Sequence, residues 1–228
     1  MKTKFIGVAA LITFLFTAVW LILLIWDQAA AGPLETIEQV VAYLSSRDWR
    51  YTLTYLNAAA VTLSATVLMS LLYLFCREAA PEWALIGFAF VPVYCTLNLV
   101  TYLSQIIIVP ALINYLGSVM DDRLIHLLLA QLIQIWPDSA VGFFNGLAYA
   151  LLGIPSIIYG LILMRGSRLM KIAGWLLALN GLACILGIIG YLTGSALLAA
   201  GITIGGSLFL LALLPLSLSF LRPTLNGR

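Results

Sequence analysis

Six long apolar runs alternate with short polar connections along this chain, at residues 5–26, 51–76, 83–108, 139–164, 169–192 and 195–221. A helix needs about 20 residues to cross a hydrocarbon core of roughly 30 Å, and every run meets that length. Helix is also required, because lipid cannot satisfy an open strand edge. The pattern therefore predicts an all-α fold: a polytopic transmembrane helical bundle of six spans.

Two connections carry a different periodicity. In the first, Leu34, Ile37, Val41 and Leu44 recur on one helical face while Glu35 and Glu38 fall elsewhere, and Pro33 suits an opening turn. In the second, Asp122, His126 and Gln134 share a stripe among Leu and Ile up to Trp136, and Pro137 closes it. Both predict short interfacial helices on the outer side of the membrane. The second also admits a re-entrant segment or a continuation of the third span, although Pro110 offers a break before it.

Composition narrows the class. Of 228 residues, 63% are hydrophobic and 9% charged, so the spans and short loops consume the chain and one integral membrane domain over 1–228 is expected. The net charge of +2 comes from span ends rather than a basic face, which excludes nucleic-acid binding. Cys76, Cys95 and Cys184 lie in or at the end of apolar runs without CxxC spacing and read as small buried residues.

The start resembles a secretory signal, with Lys2 and Lys4 ahead of an apolar run and Ala29, Ala30 and Ala31 after it. The run is about 22 residues, against about 7–15 for a cleavable one, and Trp26 suits an interfacial anchor, so it reads as a first span.

Positive residues are retained on the cytoplasmic side. Lys2, Lys4, Arg77, Arg165, Arg168, Lys171, Arg222 and Arg228 fall on one side of the six-span pattern, and only Arg47, Arg50 and Arg123 on the other. The acids Asp27, Glu35, Glu38, Asp48, Asp121, Asp122 and Asp138 mirror this on the second side. Both termini are expected in the cytoplasm of a cell with an inner, cytoplasmic membrane. Arg165, Arg168 and Lys171 would there meet anionic lipid headgroups.

Small residues at packing intervals mark helix contacts: Gly142 with Gly146, Gly201 with Gly205, and Gly174 with Gly181 seven apart. Intramolecular packing explains them, as would a homo-oligomer or partner-protein face. Two hairpins, formed by the second and third spans and by the fourth and fifth, share a tyrosine-bearing helix, an inner turn with arginine, and Trp83 or Trp175 on the return. That outline is the kind left by an internal duplication.

Candidate chemistry gathers in the third span, where Tyr94, Asn98, Tyr102 and Gln105 recur at helical spacing with Thr101 beside them. An unsatisfied polar group in hydrocarbon costs several kcal/mol, so this face must turn inward. Asn57, Asn145 and Asn180 are the candidates to meet it. One reading is a pocket for a neutral or amphipathic small molecule; the other is interhelical hydrogen bonding. Asparagine and glutamine exchange no protons at neutral pH, so the stripe favours binding over acid-base catalysis. No ionisable residue lies at mid-span, which argues against proton relays and voltage sensors. Asp121, Asp122 and His126 form too small a donor set to predict a metal, and no cofactor motif is present.

The stretches Gly146-Leu147-Ala148-Tyr149, Leu163-Met164-Arg165-Gly166-Ser167 and Ile172-Ala173-Gly174-Trp175-Leu176-Leu177, with Leu72-Tyr73-Leu74-Phe75 before the first inner turn, resemble a group of bacterial and archaeal six-span membrane proteins known only as a domain of unknown function. The resemblance implies a prokaryotic multi-pass protein and assigns no catalytic role to any position. The expectation is a non-enzymatic membrane-embedded binding, accessory or sensory protein. The alternatives are a carrier or channel for a neutral or hydrophobic solute and, further off, an intramembrane lipid-modifying enzyme.

Overall fold

The computed structural model describes residues 2–31, 34–117, 122–136 and 139–222. Pro33, Asp121, Pro137, Asp138 and Arg228, which entered the topology above, lie outside them. The chain is built from α1 (Lys2–Ala31), α2 (Ile37–Ser45), α3 (Trp49–Cys76), α4 (Pro81–Ile113), α5 (Asp122–Leu132), α6 (Ala140–Leu163), α7 (Arg168–Thr193), a single turn α8 (Ala196–Ala199) and α9 (Gly201–Leu221). No strand occurs among the described residues. Six helical stretches are long and apolar enough to cross a membrane.

Helix starts follow local chemistry. Thr36 and Gln39 form a reciprocal capping box at α2, and the side chains of Asp48, Ser139 and Ser167 accept backbone N–H groups at the starts of α3, α6 and α7. α7 ends at Gly194, whose φ of 68° is the left-handed C-cap that glycine adopts without strain.

The prolines do not end helices here. α4 runs unbroken through Pro92 and Pro110 to Ile113, five residues beyond the expected boundary. α6 and α9 likewise contain Pro155 and Pro215. Each proline removes one hydrogen bond, a loss that packing against neighbouring helices offsets. α5 is a separate helix and not a continuation of α4, because the chain turns at Gly117 with φ of 73°. The expected last span, 195–221, is divided at Ala200 between α8 and α9.

The six long helices stand in a closed ring. α1 packs on α3, α3 on α4, α4 on α6, α6 on α7, α7 on α9, and α9 returns to α1. Gly7 of α1 lies against Leu221 of α9, so the first and last helices begin and end together at what we call the terminal end. The turns carrying Arg77 and Arg165 lie at that end too, and α2 and α5 at the distal end. A core of Leu68, Leu72, Tyr159, Leu163, Leu177 and Leu213 fills the terminal half. In the distal half, Val41 and Leu44 of α2 and Ile125 and Leu129 of α5 pack against Tyr51, Tyr55 and Tyr102. The outer surface of the ring is apolar, with Phe5, Ile22, Leu53, Ile107, Leu161 and Leu211 exposed as lipid-facing residues.

A close backbone contact joins α6 and α7. Gly153 faces Gly181, and Gly160 faces Gly174, each pair presenting backbone to backbone. A Cβ on Gly174 would stand 2.5 Å from the Gly160 carbonyl oxygen, and one on Gly153 would stand 2.7 Å from that of Gly181. These helices approach because neither carries a side chain at the crossing. Gly146 meets Ile202 and Ile188, Gly201 meets Ala183 and Gly187, and Gly205 meets Cys184. Gly142 instead stands in the first turn of α6 beside Ser139 and the Gln134 carbonyl.

Candidate functional site

The 3.6-residue period of α4 places Tyr94, Asn98, Thr101, Tyr102 and Gln105 on the face turned toward α3 and α6, and all five are buried. The helices that meet this face bring tyrosines. Tyr102 and Tyr149 of α6 share a hydrogen bond between their hydroxyls at 2.7 Å. The Tyr94 ring lies 6.3 Å from that of Tyr149, and the Tyr55 ring of α3 lies 6.3 Å from Tyr102 and 4.8 Å from Tyr51. The five rings form a continuous aromatic seam through the distal half of the α3, α4 and α6 junction.

Asn98 sits one turn from both Tyr94 and Tyr102 within this seam and is fully buried at 0% exposure. Neither its Nδ2 nor its Oδ1 completes a well-formed hydrogen bond among the described residues, although the Tyr94 hydroxyl lies close enough to interact with the amide, and the Thr101 hydroxyl is also without a well-formed bond. Nearly all buried polar groups in folded proteins are satisfied, and each one left over costs about 1–3 kcal/mol. Asn98 and Thr101 therefore concentrate unused hydrogen-bonding capacity at one point in the bundle. Thr13, Thr17, Thr62 and Thr66 each return their hydroxyl to a carbonyl four residues back, whereas Ser156 of α6 and Tyr51 of α3 also bury an unpartnered hydroxyl.

Gln105 belongs to the same face but differs in being engaged. Its Nε2 donates to the Leu132 carbonyl at 2.8 Å and to Ser104 Oγ at 3.0 Å, while its Oε1 accepts the Gln134 N–H at 3.1 Å. It closes the frayed C-terminal end of α5, where helical carbonyls have no partner of their own.

The three expected partner asparagines divide. Asn57 of α3 and Asn145 of α6 are half-buried, each with an unpartnered Oδ1. Asn180 of α7 donates to the Gly205 carbonyl of α9 at 2.9 Å, so its amide faces α9. Tyr55 and Tyr149 are not among the candidates named from the sequence, and Gln134 enters only as part of the interfacial stripe.

Charge stands at both ends of the bundle, and at the distal rim it is tied to neighbouring groups. Tyr43 of α2 donates to Asp27 Oδ1 at 2.5 Å, and its hydroxyl pKa is pushed well above the ordinary tyrosine value by desolvation first and the Asp27 carboxylate second. Asp122 accepts the Gly117 N–H at 2.9 Å. Among the described residues no three His, Cys, Asp or Glu gather into a metal site. A separate open groove of about 450 Å³ lies between α1 and α3, lined by Phe5, Val8, Ile12, Ser64, Val67 and Leu71, and is apolar and lipid-facing.

No family model matches the chain, and no curated protein or solved structure is significantly similar to it. The chemistry of the seam is then the guide to what it does. With amide, hydroxyl and aromatic groups and no ionisable one, it can orient a neutral molecule through hydrogen bonds and enclose its apolar body.

Proposed function

We propose that this chain is a non-enzymatic, single-unit integral membrane protein that binds a small neutral or amphipathic molecule in the seam between α3, α4 and α6. The observation that carries the reading is the fully buried Asn98 side chain, whose donor and acceptor both lack a well-formed protein hydrogen bond. A ligand offering one acceptor and one donor recovers a cost of about 1–3 kcal/mol for each group. Thr101 supplies a third contact, and the faces of Tyr94, Tyr102 and Tyr149 flank an apolar body.

The distribution of Lys and Arg supports a cytoplasmic terminal end. Lys4, Arg77, Arg165, Arg168, Lys171 and Arg222 stand there, against Arg47, Arg50 and Arg123 at the distal end. Trp83 and Trp175 are exposed near the two terminal-end turns, where an interfacial belt would hold them. In this orientation α2 and α5 lie on the outer face of a prokaryotic cytoplasmic membrane.

Native mass spectrometry of protein extracted gently from its own membrane tests the reading. Wild type is expected to carry a defined small mass that Asn98→Leu with Thr101→Val loses. A wild-type protein free of any such mass, or a mass retained by the variant, contradicts it.

A further inference from the structure

Gln134 occupies a position that the binding reading leaves unexplained. It lies two residues beyond the end of α5 and touches all three helices that flank the seam. Its backbone N–H donates to Gln105 of α4, and its side-chain Oε1 accepts from Tyr55 Oη of α3 at 3.0 Å. Its carbonyl lies beside Gly142 of α6, where an added Cβ would come within 3.1 Å of it. The side chains holding it extend the seam itself, since Gln105 is one turn from Thr101 and the Tyr55 ring packs on Tyr102.

The segment is built as an amphipathic cover. Ile125, Leu129 and Ile133 are fully buried beneath it, while Leu124 and Leu127 face outward. The apolar stripe supplies non-directional adhesion, and the directional closure comes from Gln105 and Tyr55. Buried hydrogen bonds of this kind are modest in net strength, so a few of them make a contact that opens and recloses.

We propose that segment 122–136 is a gate over the distal end of the seam, latched by Gln105 and Gln134, and that its opening admits a ligand from that side to Asn98. The inference rests on the seam being a binding site. Its test reads only thiol reactivity, needs no ligand, and so fails or succeeds apart from that reading.

The reporter is Thr101→Cys in full-length protein in lipid nanodiscs, with Cys95 and Cys184 replaced by alanine. Cys76, buried at the terminal end, is kept as an internal control. A charged, membrane-impermeant methanethiosulfonate is the probe, and peptide mass spectrometry reads each thiol. Adding Gln105→Leu is expected to raise the labelling rate at position 101 roughly tenfold or more, with Cys76 still protected. An unchanged rate at position 101 overturns the gate. If Gln105→Leu exposes both thiols by loosening the bundle, Tyr55→Phe decides, because it removes only the hydroxyl that holds Gln134. A rise of roughly threefold confined to position 101 supports the latch, and no rise overturns it.

Discussion

The α6–α7 interface and the α4 seam are both built from residues unusual in a lipid-facing helix, yet they use them in opposite ways. Between α6 and α7, glycines bring two backbones together. Asn180, close by, gives its Nδ2 to Gly205. In the α4 seam tyrosines fill the junction, and Asn98 and Thr101 keep hydrogen-bonding groups without a well-formed protein bond. On the proposed reading, a polar residue inside a membrane bundle marks a site through the valence its neighbours leave unused, rather than through its polarity. Gln105, on the same face as Asn98, shows the difference within one helix.

The largest way to break the contrast is to fill the glycine contact. Gly181→Leu sets a side chain against the Gly153 backbone, which cannot withdraw, and is expected to destabilise by about 3 kcal/mol or to prevent folding. Denaturant unfolding in mild detergent reads the loss, and a near-neutral variant would show that the helices stand further apart.

Next comes the pair of asparagines. Asn180→Leu removes a made bond and is expected to cost about 1–2 kcal/mol. Asn98→Leu in ligand-free protein removes two unmet groups and is expected to be neutral or stabilising by about 1 kcal/mol. Equal losses from the two would erase the distinction. Within the seam, Tyr102→Phe and Tyr149→Phe should each cost about 0.5–1 kcal/mol and the double variant little more, since both delete one shared hydrogen bond.

The smallest effect lies on the distal rim. The side-chain hydrogen bond from Arg50 is the main cause that holds the Asp48 carboxyl below its ordinary value, helped by the Arg50 backbone N–H. A depressed carboxyl stabilises fully above the unfolded value of about 4 and loses that contribution as pH falls through the folded value. Asp48→Asn should flatten the acid side of the stability profile while leaving it unchanged at neutral pH in slope.

The six spans and the inward face of α4 were legible because charge exclusion and 3.6-residue spacing are properties of the chain alone. Helix ends were less so. Pro110 looked like a stop, but α4 continues to Ile113 because surrounding helices tolerate one missing bond. Glycine spacing marked Gly174 and Gly181, whereas their partners Gly153 and Gly160, also seven apart, emerge only when an antiparallel neighbour is placed against them. Asn98 and Asn180 are alike in sequence, and only the surrounding helices show that the Asn180 Nδ2 reaches the Gly205 carbonyl while its Oδ1 and both ends of the Asn98 amide are left without such a bond. Periodicity tells which residues share a face; it does not tell what stands opposite.

The most direct measurement is an experimental density map of the gently extracted protein in native lipid, resolved well enough to place side chains around Asn98. The account predicts non-protein density, larger than a single water, within hydrogen-bond reach of the Asn98 amide and Thr101 Oγ1 beneath a closed segment 122–136. An Asn98 amide turned onto protein partners, with nothing beside it but packed side chains, would contradict it.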